Sequence, residues 1–202
     1  DPLSVERCIN TRTRAILLVH LYGQVRSMDH WQDLCNSHDL ILVEDCAQAH
    51  LATSQGQPAG SFGPIGAYSF YPTKNLGALG DAGAVVTDDV DLAREAARLR
   101  NYGQAERYEH VSLGLNSRLD EMQAALLSAR LPWLPEFTNR RQVIARRYRE
   151  EISNPAVSML AVPQETSAHV YHQFVVTADD RAGLMTHLAT YGIPSLIHYP
   201  IP

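Results

Sequence analysis

The sequence predicts an α/β fold, with a larger unit built on parallel strands and the start of a smaller α/β unit after it. Three observations predict it. Two apolar runs, "RAILLVHLYG" and "LILVEDCAQA", are joined by a helical pattern from about Met28 to His38, the signature of a βαβ unit. Two more short runs, "AYSFY" and "AGAVVT", read as further strands. Beyond Pro155 and Pro163 the character changes, and "YHQFVVTA", a helix over about Asp179 to Tyr191 and "IPSLIHYP" read as β-α-β.

Each element has a local reason. The first run is bounded by Gly23, and the second ends in Glu44 and Asp45. Asp45 therefore falls at the carboxyl end of a strand, the edge where open α/β sheets hold their sites. The Gly/Ser/Pro-rich "TSQGQPAGSFGPIG" is a connection, and "PTKNLGALGD", with Pro72 and its glycines, is a loop between two strands. "DDVDLAREAARLRN" opens with acids that suit a helix N-terminus. A further helix is expected after Asn116, with Ser117 as its N-cap and Asp120 three residues on, and a longer one from about Leu134 to Ile152. The expected division is 1–130 for the larger unit and 131–202 for the connecting helix and the start of the smaller one. The chain starts at Asp1 without methionine and stops just after an expected strand, which suggests a piece of a longer polypeptide.

Composition narrows the function. A net charge of −5, without a basic tract, argues against nucleic acid as the main partner. The longest apolar run is too short to span a bilayer. Cys8, Cys35 and Cys46 are odd in number and fit no disulfide framework or zinc spacing, so a reducing cytoplasm is the simplest compartment. His20, His30, His38 and His50 lack ligand spacing, and no metal site is expected.

Of the seventeen Lys and Arg residues, only Lys74 is a lysine. Arginine serves wherever charge or anion contact is wanted, but its guanidinium stays protonated and is no useful amine nucleophile. A lysine kept in that background is a candidate for imine chemistry. Lys74 follows Thr73, so the loop is not a Walker phosphate loop, and "GALGDAG" lacks the dinucleotide-binding spacing. What remains is an amine on a glycine-rich loop and an aspartate at a strand end, with Gln48 three residues on. A pyridine-type electron sink needs such a pair, one group to hold an aldehyde and one to keep a ring nitrogen protonated.

The motifs "VHLYGQ", "VEDCAQAH", "YSFYPTKNLGALGDAGAVVT", "LRNYG", "NSRLDEMQAA" and "IHYPIP" occur in an order that resembles the DegT/DnrJ/StrS family of nucleotide-sugar aminotransferases. The resemblance runs almost end to end. It implies the fold-type-I, aspartate aminotransferase-like architecture and pyridoxal 5'-phosphate (PLP) as cofactor. Lys74 matches the lysine that holds the cofactor and moves the proton. Asp45 matches the partner of the ring nitrogen, Gln48 the residue beside the ring and its 3-hydroxyl, and Ser69 a phosphate ligand. Asn116 matches the asparagine that reaches the phosphate of the other subunit, which implies a homodimer with shared sites. His198 and Tyr199 fall in a segment that lines the sugar pocket.

The implied reaction moves an amino group from glutamate or glutamine to a keto sugar on a nucleotide diphosphate. "FYPTKNLGALGDAG" most resembles members acting at C3 of dTDP-linked 3-keto-6-deoxy sugars, and closely similar motifs occur in C4 enzymes. Sugar dehydratases of the same fold replace the lysine by histidine, so Lys74 argues against that class. A non-catalytic binding or regulatory relative is the other alternative. The sequence departs from the family where Leu51 stands for a usual glycine and Cys46 for a common alanine. The upstream Gly-Thr turn and stacking aromatic residue of the family are not in this chain.

Overall fold

A computed structural model describes residues 1–201. Its elements, in chain order, are α1 (Pro2–Glu6), β1 (Ala15–Val19), α2 (Asp29–Ser37), β2 (Ile41–Asp45), β3 (Thr53–Ser54), β4 (Gln57–Pro58), β5 (Ile65–Ser69), β6 (Gly83–Val86), α3 (Val90–Leu99), β7 (Gln104–Glu106), β8 (Glu109–His110), α4 (Glu121–Arg130), α5 (Leu134–Glu151), β9 (Ser158–Met159), β10 (Val176–Thr177) and α6 (Arg181–Thr190). The main sheet has the order β1-β2-β5-β6. β1, β2 and β5 run parallel, and β6 returns antiparallel to β5.

Strand alternation gives the sheet two unlike faces. Ile16 and Leu42, partners in the register, are buried with Val25, Met28, Leu34 and Val170, while Leu17 and Ile41 one residue away are exposed. Glu44 points to the buried face, where it is fully enclosed. Its carboxylate accepts the amides of Gly60 (2.8 Å), Phe62 (2.7 Å) and Gly63 (2.9 Å) and bonds His20 Nε2 (2.8 Å). Burial pushes the Glu44 carboxyl up, but the His20 bond and the Gly63 and Gly60 amides outweigh it and hold the group below its usual range. Glu44 thus folds the connection before β5 back onto β2. Glu44→Ala would strand those amides and His20 without an acceptor, so unfolding free energy from urea titration is expected to fall by about 3–5 kcal/mol.

A strap from the C-terminal half closes the buried face. The Val25 amide donates to Ala168 O (2.8 Å) and the Val170 amide to Gly23 O (2.9 Å). Gly23 has φ +86°, and a Cβ there would come within 2.5 Å of the Gln48 carbonyl oxygen and 2.8 Å of Val170 Cγ2, so only glycine fits. Helix α5 holds the strap from its other side: Arg141 donates to the carbonyls of Tyr171 and His172, and Gln142 to those of Thr166 and His169.

Three expectations change. The helix expected from Ser117 begins at Glu121 with Asp120 as N-cap, because bonds from the Leu115 amide to Leu99 O and from the Ser117 amide to Arg100 O hold that stretch extended. The strand expected in "YHQFVVTA" shrinks to Val176–Thr177, paired with β9, since residues 168–172 form the strap instead. "IPSLIHYP" forms no strand in its described residues: Pro194 and Pro200 have no amide to offer, and no neighbouring strand pairs with the rest. Among the described residues, no helix is long and apolar enough to cross a membrane.

Candidate functional site

The β5–β6 hairpin encloses the loop that carries Lys74. Phe70 opens the loop, its amide donating to Ala82 O (2.8 Å) and its carbonyl accepting the Ala78 amide (2.7 Å). The Lys74 amide donates to Tyr71 O (2.8 Å), closing a tight turn. Gly77 lets the backbone fold against Pro72, whose carbonyl oxygen a Cβ would approach to 2.5 Å. Leu76 and Ala78 then pack with Leu127 of α4 and Leu134 of α5, anchoring the loop to the helical layer. The Lys74 side chain is half-buried, and among the described residues it takes part in no ion pair or hydrogen bond.

Two histidines feel the Lys74 charge. His50 is lowered to about 4, by burial first and then by Lys74, against an opposing contribution from the Ser69 main chain. His172 is also lowered to about 4, by burial and then by Lys74, Arg141, His50 and His198. Both rings are therefore neutral near neutral pH. Asn75 is buried, donating to Val170 O (3.1 Å) with its Oδ1 3.3 Å from His172 Nδ1. Cations and neutral imidazoles on this side of the sheet suit an anionic ligand.

Asp45 and Ser69 leave neighbouring parallel strands on one face, since Asp45 is in register with Ala67 and Ser69 lies two residues beyond. Asp45 Oδ1 accepts the Ala47 amide (2.9 Å). The Ser69 hydroxyl accepts the Tyr71 amide (3.2 Å), which leaves its own hydrogen to donate. Gln48 is buried; its Oε1 accepts the Tyr22 amide (2.5 Å) and its Nε2 donates to the Tyr199 hydroxyl (3.2 Å). Tyr199 is thereby joined to the sheet edge from 151 residues away. His198 is exposed and bonds Gln173. Asn116 is exposed, bridges Asn101 and accepts a bond from Arg118 (3.1 Å). Leu51 adopts φ +68°, the left-handed region that favours glycine.

The sequence reading passed over Asn75 and His172 and set His50 aside. The one signal for them was polar residues beside apolar ones in "TKNLG" and "VYHQF". His20, Glu44 and Cys46 also converge, with ligand-type atoms within 4.8 Å of one another. The donor set does not fit a metal: the Glu44 oxygens are already taken by hydrogen bonds, and burial, with the Glu44 and Asp45 charges, pushes the Cys46 thiol up to about 12.

His169, in the strap, is lowered to about 4 as well, chiefly by burial and against the Gly23 carbonyl bond. His50, His169 and His172 thus stay neutral in the folded protein while the unfolded chain takes up protons below its ordinary value of 6.5. Their contribution is unaffected above that pH and is lost as pH falls from 6.5 toward 4. Each proton steepens the loss by about 1.4 kcal/mol per pH unit. Thermal melts should be level between pH 7 and 8 and drop steeply between pH 6 and 4.5; a flat profile there would show that these rings titrate normally.

The DegT/DnrJ/EryC1/StrS aminotransferase family matches residues 1–202. A dTDP-3-amino-3,6-dideoxy-alpha-D-galactopyranose transaminase from Aneurinibacillus thermoaerophilus is 48% identical over 202 residues, covering 100% of this chain and 55% of its own. A dTDP-3-amino-3,4,6-trideoxy-alpha-D-glucose transaminase from Streptomyces venezuelae is 46% identical, with coverage of 100% and 53%. The crystal structure of S. venezuelae DesV in complex with a ketimine intermediate superposes with a TM-score of 0.95 at 46% identity, over 100% of this chain and 54% of that one. The chain spans about half the length of these relatives.

Proposed function

Because the chain belongs to the DegT/DnrJ/EryC1/StrS aminotransferase family, we propose that it serves in an enzyme transferring an amino group from glutamate or glutamine to the keto carbon of a nucleotide-linked deoxysugar. The observation that carries this reading is Lys74: the chain's one lysine lies on the hairpin loop with no carboxylate partner among the described residues, beside neutral imidazoles. The names of the two relatives at 46% and 48% identity support C3 as the aminated carbon and dTDP as the carrier.

PLP is the cofactor of this family, and the residues present fit it. An amine, a strand-end carboxylate, a buried amide and a hydroxyl with a free hydrogen supply the partners that its carbonyl, ring nitrogen, 3-hydroxyl and phosphate require. When bound, PLP supplies a carbonyl that captures an amine and a ring that draws off the electrons left when a proton departs from the neighbouring carbon. Lys74 Nζ holds the cofactor and, once displaced by the amino donor, takes and returns that proton. Asp45 keeps a proton on the ring nitrogen. Gln48 is fixed for the 3-hydroxyl by its bond to the Tyr22 amide, and its bond to Tyr199 links the cofactor edge to the segment of His198 and Tyr199, which line the sugar pocket. Ser69 donates to the phosphate, and Asn116, exposed on this chain, donates to the phosphate of the partner subunit in a homodimer.

Residues 1–130 form the cofactor-binding unit and 131–202 the connecting helix and start of the small domain, in a cytoplasmic enzyme. The test supplies the full-length protein with glutamate and dTDP-linked 3-keto- and 4-keto-6-deoxyhexoses. A 3-amino product identified by mass spectrometry and NMR supports the reading. Amination only at C4 would move the position, and no amination of any keto sugar would remove the activity.

A further inference from the structure

Gln48 is held at both ends of its side-chain amide. Its Oε1 accepts the Tyr22 amide (2.5 Å) and its Nε2 donates to the Tyr199 hydroxyl (3.2 Å), although only 4% of the residue is exposed. A main-chain N–H can give a hydrogen but cannot take one, so the oxygen must face Tyr22 and the nitrogen Tyr199. That fixes which way round the amide lies. A planar group bound at two atoms also loses its rotation, so the second Nε2 hydrogen, which has no acceptor among the described residues, is aimed in one direction.

Both tyrosines that meet this amide have left-handed backbones, Tyr22 at φ +62° and Tyr199 at φ +55°. That conformation is costly for a bulky residue, and such strain gathers where geometry serves a site. Tyr199 is also 57% exposed, and the described residues around it form no strand. Burial therefore does little to hold it. What ties it down is polar: its own bond to Gln48, and beside it the bond between Gln173 and the His198 ring.

We propose that Tyr199 is a positioning residue for the cofactor: its hydroxyl, by taking one Nε2 hydrogen of Gln48, aims the other at the cofactor's 3-oxygen. Tyr199 thus acts through Gln48 and not by its own touch. The proposal rests on the reading that places Gln48 beside the 3-hydroxyl.

The test uses the full-length protein loaded with PLP, without amino donor or sugar, so that any contact of Tyr199 with substrate plays no part. Wild type, Tyr199→Phe, Gln48→Met and the double variant are compared at pH 8 by the ratio of the visible to the near-ultraviolet band of bound cofactor. A donor on the 3-oxygen draws on its charge and so sets the balance of the protonation states behind those bands. Tyr199→Phe is expected to change the ratio about threefold, the scale of one hydrogen bond, and Gln48→Met at least as much. In the double variant the phenylalanine should add nothing to the change made by methionine. An unchanged ratio in Tyr199→Phe, or an equal change in both backgrounds, overturns the proposal. Should Gln48→Met not fold, the crystal structure of PLP-loaded Tyr199→Phe decides: a Gln48 amide turned away from the 3-oxygen supports the proposal, and one left in place overturns it. A change with Gln48→Met but none with Tyr199→Phe keeps the cofactor reading and removes Tyr199 from it. No cofactor band in wild type removes the cofactor reading, and the proposal falls with it.

Discussion

Replacing Lys74 by alanine is expected to lower transamination by at least about a thousandfold, the scale of losing a positioned acid–base group, with further loss from the missing covalent hold on the cofactor. Lys74→Arg should be as inactive, although it keeps the positive charge, because a guanidinium neither condenses with a carbonyl nor gives up its proton near neutral pH. Alanine and arginine together separate charge from nucleophilicity at one position. Borohydride treatment of the wild-type protein with PLP should leave the cofactor attached to one tryptic peptide of this chain, the one containing Lys74. The N-terminal amine is the competing site and is controlled by mapping its own peptide. Label found elsewhere, or turnover retained by Lys74→Ala, would sink the assignment.

Asp45→Asn should reduce turnover on the order of a thousandfold, the cost of removing one preorganised electrostatic contact to developing charge, while cofactor still binds. The structure makes this substitution informative. Asp45 Oδ1 accepts the Ala47 amide at 2.9 Å, and an asparagine oxygen at the same place keeps that bond. Shape and local turn survive, and only the charge is removed. Cofactor binding is followed by its visible absorbance and turnover by amino sugar formation. Near-normal turnover would make Asp45 a residue of the turn and leave the ring nitrogen to another partner.

Both residues were legible in the sequence because their placement depends on neighbours in the chain. An apolar run with an acid at its end predicts a strand terminus, and glycines with a proline between two such runs predict a loop; β2 and the β5–β6 hairpin follow those rules. What was not legible depends on distant partners. The enclosure of Glu44 needs amides 16 to 19 residues away, supplied by a loop whose path no local pattern gives. Gln48 finds Tyr199 across 151 residues. Ser117 has the right side chain for an N-cap, but its amide was already committed to Arg100. Asn75 looked like a loop residue, and only the strap at Val170 shows why it is buried.

That strap also bears on when the protein can fold. Gly23 and Val170 are bonded across nearly three-quarters of the chain, and Asn75 waits on the same segment. A nascent chain leaves the ribosome from its N-terminus, at a rate of several residues per second. Until residue 170 has emerged, the Val25 amide, the Gly23 carbonyl and the Asn75 amide lack their partners, and the apolar cluster around Val25 stays open to solvent on that side. Closing so long a loop is a slow kind of contact to make. The first βαβ unit can assemble early, but the enclosed face is completed only once residue 170 has emerged, leaving a window in which chaperones have an unfinished core to shield.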